Sequence, residues 1–301
     1  MSTYLVTGAN GYVGTHLVKR LLEEGNQVLC LVRASSNLNC LDISHPQIKL
    51  YYYDGTHKSI AQIFALQTID AVFHLAAMSQ YTITSAQISD LMAVNLTMGT
   101  QLLQLMTEHQ VKTFINTGSY WQHMHEATLY EPVCLYAASK QAFEAVIDYY
   151  VQIQTVNAIT LKLFDVYGPN DPRNKILQLL YNAAISQETV NFSPGQQLLD
   201  LVYIDDVIDA YCQAIKTSNN EQHLRYFVGS FARHTLQDIA KLYQDILGKK
   251  IPINWGGRPY RNHEVMIPCK GEPLPNWYAK TSLTIGLSNV IRCQLQNQSL
   301  G

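Results

Sequence analysis

Tyr136 and Lys140 stand four residues apart in Tyr136-Ala137-Ala138-Ser139-Lys140, a spacing that sets both on one face of a helix. A free tyrosine has a pKa of about 10 and is a poor proton donor at neutral pH unless its anion is stabilised. An ammonium one turn away supplies that stabilisation and can also hold a cofactor ribose. Ser119 lies upstream, after an apolar run, in Phe114-Ile115-Asn116-Thr117-Gly118-Ser119-Tyr120-Trp121. Ser119, Tyr136 and Lys140 together can polarise a carbonyl oxygen and return a proton to it. A Tyr/Lys pair alone would be a coincidence in a chain with 19 tyrosines, so the reading leans on what stands beside it.

What stands beside it is Thr7-Gly8-Ala9-Asn10-Gly11-Tyr12-Val13-Gly14, directly after a short apolar strand. Gly8, Gly11 and Gly14 let a strand turn sharply into a helix and let a pyrophosphate approach bare backbone. The helix N-terminus adds unpaired N–H groups and a partial positive charge. A dinucleotide beside a Tyr/Lys pair implies hydride transfer coupled to proton transfer. The second strand ends in Val32-Arg33-Ala34-Ser35-Ser36 and lacks the acidic residue that would bind the ribose of NAD. Arg33 with Ser35 suits a 2′-phosphate, so NADP(H) is favoured over NAD(H); the alternative is a solvated surface arginine. Asp54 could accept from an adenine amino group, or could cap a turn with Gly55.

The bulk of the chain narrows the class. Its 301 residues leave room for one large or two small domains, and 47% hydrophobic content is ordinary for a soluble globular chain. A formal net charge of −2 points to neither nucleic acid nor membrane as partner. No apolar run reaches the roughly 18 residues of a membrane span, and MSTYLVTGAN reads as a strand, not a signal peptide. The six cysteines, at 30, 40, 134, 212, 269 and 293, form no CxxC and read as reduced thiols of a cytoplasmic protein. His123-x-His125 has no further ligand at suitable spacing, so no metal is expected.

The elements that must position these groups follow from apolar patterning. Tyr4 to Val6, Gln27 to Val32, Ile48 to Tyr53, Ala71 to Leu75, Thr113 to Asn116 and Ala158 to Leu163 read as strands. Val13, Leu17, Val18, Leu21 and Leu22 mark an amphipathic helix that stops at Gly25. Near-continuous apolar strands alternating with helices predict an α/β Rossmann fold, a doubly wound parallel sheet covered on both faces. Beyond about residue 165, frequent prolines predict a smaller, irregular lobe interleaved with returns to the sheet. The expected organisation is a dinucleotide-binding domain over 1–165, with returns from about 200–230, and a substrate-binding lobe over 166–301, the two fused.

Over nearly its whole length the chain resembles the extended short-chain dehydrogenase/reductases, the NAD-dependent epimerase/dehydratase family of nucleotide-sugar enzymes. The matching segments are TGANGYVG (7–14), HLAA (74–77), VNLTMGTQLL (94–103), YAASK (136–140), LFDVYGPND (163–171), VYIDDVIDAY (202–211) and PYRNHEVM (259–266). The resemblance implies a seven-stranded sheet and a nucleotide-diphospho-sugar between the lobes. It also implies a cofactor set of Gly8, Asn10, Gly11, Tyr12, Val13, Gly14, Arg33, Ser35, Asp54, Gly55, Leu75, Ala76, Ala77, Asn95, Thr117, Tyr136 and Lys140. His74 to Ala77 would line the nicotinamide side, and Asn95 would brace the active-site helix. Met78, Ser119, Tyr120, Trp121, Asp165, Lys175 and Arg261 would meet substrate. The NKILQLL, DLVYIDDV and RNHEVM stretches are similar to those of bacterial 4-ketoreductases of deoxysugar nucleotides, the CDP-abequose and CDP-paratose synthase group.

Departures from the family pattern refine the expectation. Leu199 precedes Asp200 where relatives often carry a diphosphate-binding arginine, which makes Arg261 the candidate anchor unless it pairs with Glu264. Asp165 replaces a common asparagine. Tyr120-Trp121 stands where 4,6-dehydratases carry Asp-Glu and where 3,5-epimerising reductases carry cysteine, so neither activity is expected. A 4-epimerase with retained NAD is the alternative, and a non-enzymatic dinucleotide sensor a more distant one. Trp121, Gln122, His123 and the Met78–Tyr81 loop either shape the sugar pocket or are ordinary packing. Amphipathic patterns in Ile88–His109 and Tyr136–Gln154 resemble the helix pairs through which the family dimerises, so a homodimer is expected; helices covering a monomer's sheet would give the same pattern.

Overall fold

The computed structural model describes residues 1–217 and 222–299; residues 218–221, within the expected 200–230 return, and 300–301, at the end of the expected second lobe, lie outside the described residues. The chain opens with β1 (Thr3–Thr7), α1 (Tyr12–Glu23), β2 (Gln27–Arg33), β3 (Ile48–Tyr53), α2 (His57–Leu66) and β4 (Ala71–His74). Next, α3 (Ile88–Met92), a π-helical turn (Ala93–Thr97) and α4 (Met98–Glu108) run on without a break, and β5 (Thr113–Ser119) follows a short turn. A 3-10 turn (Tyr120–Gln122), α5 (Leu135–Gln152), β6 (Asn157–Leu163), β7 (Asp165–Tyr167), α6 (Ile176–Ser186), β8 (Val190–Phe192) and β9 (Leu198–Tyr203) follow. The last elements are α7 (Ile204–Thr217), β10 (His223–Val228), β11 (Arg233–Thr235), α8 (Leu236–Leu247), β12 (Ile253–Trp255) and α9 (Leu283–Ser299).

Seven strands form one parallel sheet in the order β10-β6-β5-β4-β1-β2-β3. The apolar runs dictate this, because strands covered on both faces must be apolar at every position. In β2, Val28 to Val32 are all buried, and so is every residue of β4. Successive residues serve opposite faces. Val6 and Ile115 join the core that includes Leu17, Leu21 and Tyr211 of α1 and α7. Leu5 and Phe114 join the core that includes Ile63, Leu102, Phe143 and Ile147 of α2, α4 and α5. The chain leaves β1 toward β2 in one direction and takes up β4 on the other side, so the strand order reverses between β1 and β4. Open α/β sheets form their ligand crevices outside the strand carboxyl ends at such a reversal.

The second half is divided differently from the simple range expected. β9 does not return to the large sheet; it sits between β7 and β11 in a three-stranded sheet. The return begins at Ile204, where α7 packs against α1, and it ends with β10 as the seventh strand. β8 and β12 form a separate parallel pair. One buried cluster runs from Val6 and Leu17 through Leu180 and Phe192 to Tyr243 and Leu287, so both lobes share a core.

Candidate active site

A cavity of about 1240 Å³ opens at the carboxyl ends of the parallel strands, between the sheet and the second lobe. Its wall is built first from the glycine loop. Gly8 has φ +66°, and a Cβ there would meet Ala76 N at 2.7 Å, so only glycine lets this turn close against the end of β4. A Cβ on Gly14 would collide with Gly8 O, which keeps α1 close to the strand it leaves. Gly11 is the N-cap of α1, no side chain caps it, and the first turn holds no acidic residue. A helix N-terminus so left is suited to an anionic group, and Gly8, Asn10, Gly11, Tyr12, Val13 and Gly14 all line the cavity. These residues fit a dinucleotide pyrophosphate.

Leu75 and Ala77 form the facing wall, with Thr117 at the floor. Their position is set by Thr7, whose Oγ1 accepts from Ala76 N (3.1 Å) and is hydrogen-bonded to His74 Nδ1 (2.8 Å). His74 is fully buried, between Phe114 and Phe143, and burial with the nearby Lys140 charge pushes it down to about 3. Among the described residues, the buried side-chain atoms without hydrogen-bond partners are His74 Nε2 and Asn116 Oδ1, on strand positions paired in β4 and β5.

Ser119, Tyr136 and Lys140 all line the same cavity. Ser119 ends β5, and its Oγ accepts from Trp121 N at 3.3 Å, which directs the hydroxyl proton elsewhere. Tyr136 and Lys140 lie on α5 and are buried. Burial pushes the Tyr136 phenol up to about 12, while the Ser119 hydroxyl beside it pulls the other way. Desolvation of the phenol therefore keeps Tyr136 protonated through the neutral range. Burial likewise depresses Lys140 to about 8, and Glu144 one turn further opposes this.

α5 is anchored from the π-helical turn. Asn95 is buried, its Nδ2 donates to Ser139 Oγ (2.8 Å), and its Oδ1 accepts from Met78 N (2.8 Å). Asn95, expected to brace the active-site helix as well as to meet cofactor, joins the Met78 loop to α5, and neither Asn95 nor Met78 lines the cavity. Ala76 also stands behind the wall, facing Gly8.

The adenosine side is open. Arg33, Ser35, Asp54 and Gly55 lie outside the cavity lining. Arg33 is exposed at the end of β2, on a loop that Asn10 Nδ2 reaches at Asn37 O (3.4 Å), so the loop adjoins the glycine turn. Asp54 Oδ1 accepts from Thr56 N (2.9 Å) and Thr56 Oγ1 (2.7 Å), and Gly55 has φ +93°. This is the turn-capping alternative, and the Thr56 bonds hold the carboxylate below its usual range.

On the substrate side Tyr120, Trp121, Asp165, Lys175 and Arg261 line the cavity. Tyr120 donates to Asp165 Oδ2 (3.0 Å). The Arg261 guanidinium lies 4.5 Å from the Tyr81 ring centre and 5.8 Å from that of Trp121. Glu264 takes the backbone N–H of Arg261 (3.2 Å), leaving the guanidinium to the two rings. Burial and Arg173 depress Lys175, opposed by Asp165 and Asp171. Asp200 is spent on Ser230 N and Oγ and on Phe231 N. Arg173 and Arg258, which also line the cavity, were not singled out; their signal was an arginine after Asp171-Pro172 and another before Pro259. His123 accepts from Lys162 Nζ (2.6 Å) and donates to Leu129 O (2.7 Å), and the described residues contain no cluster of three or more metal-ligating side chains. No helix among them is long and apolar enough to cross a membrane.

The sequence signature of the NAD dependent epimerase/dehydratase family matches residues 4–229. The chain is 29% identical over 265 residues to the CDP-abequose synthase of Yersinia pseudotuberculosis, covering 88% of this chain and 90% of that one. It is 26% identical over 325 residues to the UDP-glucuronate 4-epimerase of Thermodesulfobacterium geofontis, covering 100% and 98%. The UDP-glucose 4-epimerase of Thermotoga maritima, solved with UDP-glucose, superposes with a TM-score of 0.86 at 22% identity, covering 98% of this chain and 99% of that one. That likeness speaks for the fold.

Proposed function

Because this chain belongs to the NAD dependent epimerase/dehydratase family, we propose that it is an NADPH-dependent reductase of a 4-keto sugar nucleotide. The sugar is a 6-deoxy or 3,6-dideoxy hexose carried on CDP, dTDP or GDP, made for a bacterial polysaccharide. The observation that carries this reading is the pairing of Ser119, Tyr136 and Lys140 in one cavity with Tyr120-Trp121 where ring chemistry would need an acid/base pair. Tyr120 is bound to Asp165 and holds its proton well above the ordinary tyrosine range through burial and that carboxylate, so it offers no base. The likeness to CDP-abequose synthases supports the same choice.

The dinucleotide, bound on the glycine loop, supplies a hydride. Ser119, with one lone pair occupied by Trp121 N–H, donates to the keto oxygen. Tyr136, protonated through the neutral range, gives its proton to the same oxygen as negative charge develops there. Lys140 holds the cofactor ribose. Arg261 anchors the diphosphate, so that binding energy from the remote nucleotide places the keto group. The protein acts as a homodimer through α4 and α5, where Tyr149 of α5 and Ile153 just after it are exposed; light scattering well above the 34.0 kDa monomer mass checks this.

The same three residues would serve a 4-epimerase that retains NAD, and the epimerase relative keeps that reading in play. One incubation separates them. C4-deuterated NADPH with a dehydratase-derived 4-keto sugar nucleotide should give deuterium at sugar C4 and stoichiometric NADP⁺. Interconversion of 4-hydroxyl sugar nucleotides without net cofactor consumption would establish the epimerase.

A further inference from the structure

We propose that Gln122 is a positioning residue that couples the Ser119 turn to the Tyr136/Lys140 helix through the buried carboxylate of Glu144. The inference rests on the roles given above to Ser119, Tyr136 and Lys140. Gln122 is fully buried, and each end of its amide is used. Its Oε1 accepts from Ser119 N (2.9 Å), and its Nε2 donates to Glu144 Oε1 (2.7 Å) and Gln141 Oε1 (2.8 Å). Glu144 and Gln141 both belong to α5, the helix of Tyr136 and Lys140. One side chain therefore ties the end of β5 to the middle of that helix.

The far side of Glu144 is fixed just as firmly. Lys162 of β6, 3% exposed, has its Nζ 3.4 Å from Oε1, and Arg225 of β10 donates to Oε2 at 2.7 Å. Lys162 also donates to His123, the residue after Gln122, and Arg225 and His223 pair with Asp148 one turn along α5. Lys140 lies one turn earlier on the same helix. Lys162, Arg225 and Lys140 face the carboxylate as cations; His123 and His223 are both shifted toward their neutral forms by burial.

Buried ion pairs gain little net stability over apolar packing, because desolvation offsets their attraction. A network of this cost is better explained by what it orients. Its point of contact with the reaction is the Ser119 backbone, and the same 3-10 turn aims the Ser119 hydroxyl. Gly118 leaves room for it: a Cβ there would lie 3.0 Å from Gln122 Oε1 and 3.0 Å from Lys162 Cγ. Misplacing a reacting group by about 1 Å can cost on the order of 10²-fold in rate.

The test uses Gln122→Met, which keeps length and loses all three side-chain hydrogen bonds. Gln122→Asn, which stays polar but is too short to span the two partners, serves if the first does not fold. The readouts are kcat, the Kd for NADPH, and amide exchange of Ser119 by NMR. We expect kcat to fall 10- to 100-fold, NADPH affinity to stay within about twofold, and Ser119 exchange to quicken at least tenfold while Thr113 to Asn116 remain protected. A folded variant with kcat within twofold of the parent, or with unchanged Ser119 exchange, overturns the proposal. If the parent protein reduces no 4-keto sugar nucleotide, the functional reading fails separately, and the exchange measurement alone decides the coupling: acceleration upholds it and no change overturns it.

Discussion

Thr7 Oγ1 and His74 Nδ1 lie 2.8 Å apart, and this contact locks the first strand of the glycine loop to the strand that ends in the opposite wall of the cleft. Burial is what keeps the ring neutral.

Acid stability should therefore fail early. His74 has its folded pKa lowered from 6.5 to about 3, so between those values the unfolded state binds more protons and stability rises with pH. The stabilisation is complete above 6.5 and is lost as pH falls toward 3. His123 and His223 are shifted in the same direction. Urea unfolding at pH 7.5, 6 and 5 should show stability dropping with a slope approaching about 1.4 kcal/mol per pH unit from His74, with His123 and His223 adding in the same direction. His74→Gln should flatten the slope; an unchanged profile in that variant would assign the effect elsewhere.

Lys140 should set the alkaline limb of activity. Its ammonium is depressed to about 8, whereas Tyr136 keeps its proton to about 12. As pH rises through 8 the cation is lost while the acid remains, so kcat/KM for NADPH should fall about tenfold per unit above that point. A plateau continuing past pH 9.5 would show that the cation is not needed.

Tyr136→Phe should reduce kcat by ~10²–10⁴-fold, the usual loss on removing a general acid. NADPH binding, followed by fluorescence, should survive. Lys140→Ala should harm both rate and cofactor affinity, because two roles meet there. Near-normal turnover in Tyr136→Phe would mean that the proton comes from another group.

Arg33, exposed beside the loop that Asn10 reaches, should confer NADPH preference. Arg33→Asp replaces a phosphate partner with a like charge. The loss of a charge-assisted hydrogen bond, roughly 1.5–3 kcal/mol, should lower kcat/KM for NADPH at least tenfold more than for NADH. If the parent protein uses NADH as well as NADPH, the preference does not exist.

The parts of this protein that were legible in its sequence are those governed by local spacing. Helical periodicity put Tyr136 and Lys140 on one face, and apolar runs in β2 and β4 could only be buried parallel strands. The glycine loop was readable because Gly8 answers a local constraint, a positive φ under a close backbone contact. The seventh strand, β10, came only through the family resemblance, since its partner β6 lies some 60 residues away in sequence. Tertiary packing decided the rest. The burial of the Tyr136 phenol was not legible, because desolvation is a collective property of everything packed around it, and no neighbour in sequence reports it. Asn95 and Met78 withdrew from the cavity because each found the other, 17 residues apart. Gln122 read as either pocket lining or ordinary packing; its partner Glu144 gathers Lys162 and Arg225, and these four residues are spread over about 100 positions that only folding the sheet brings to one point.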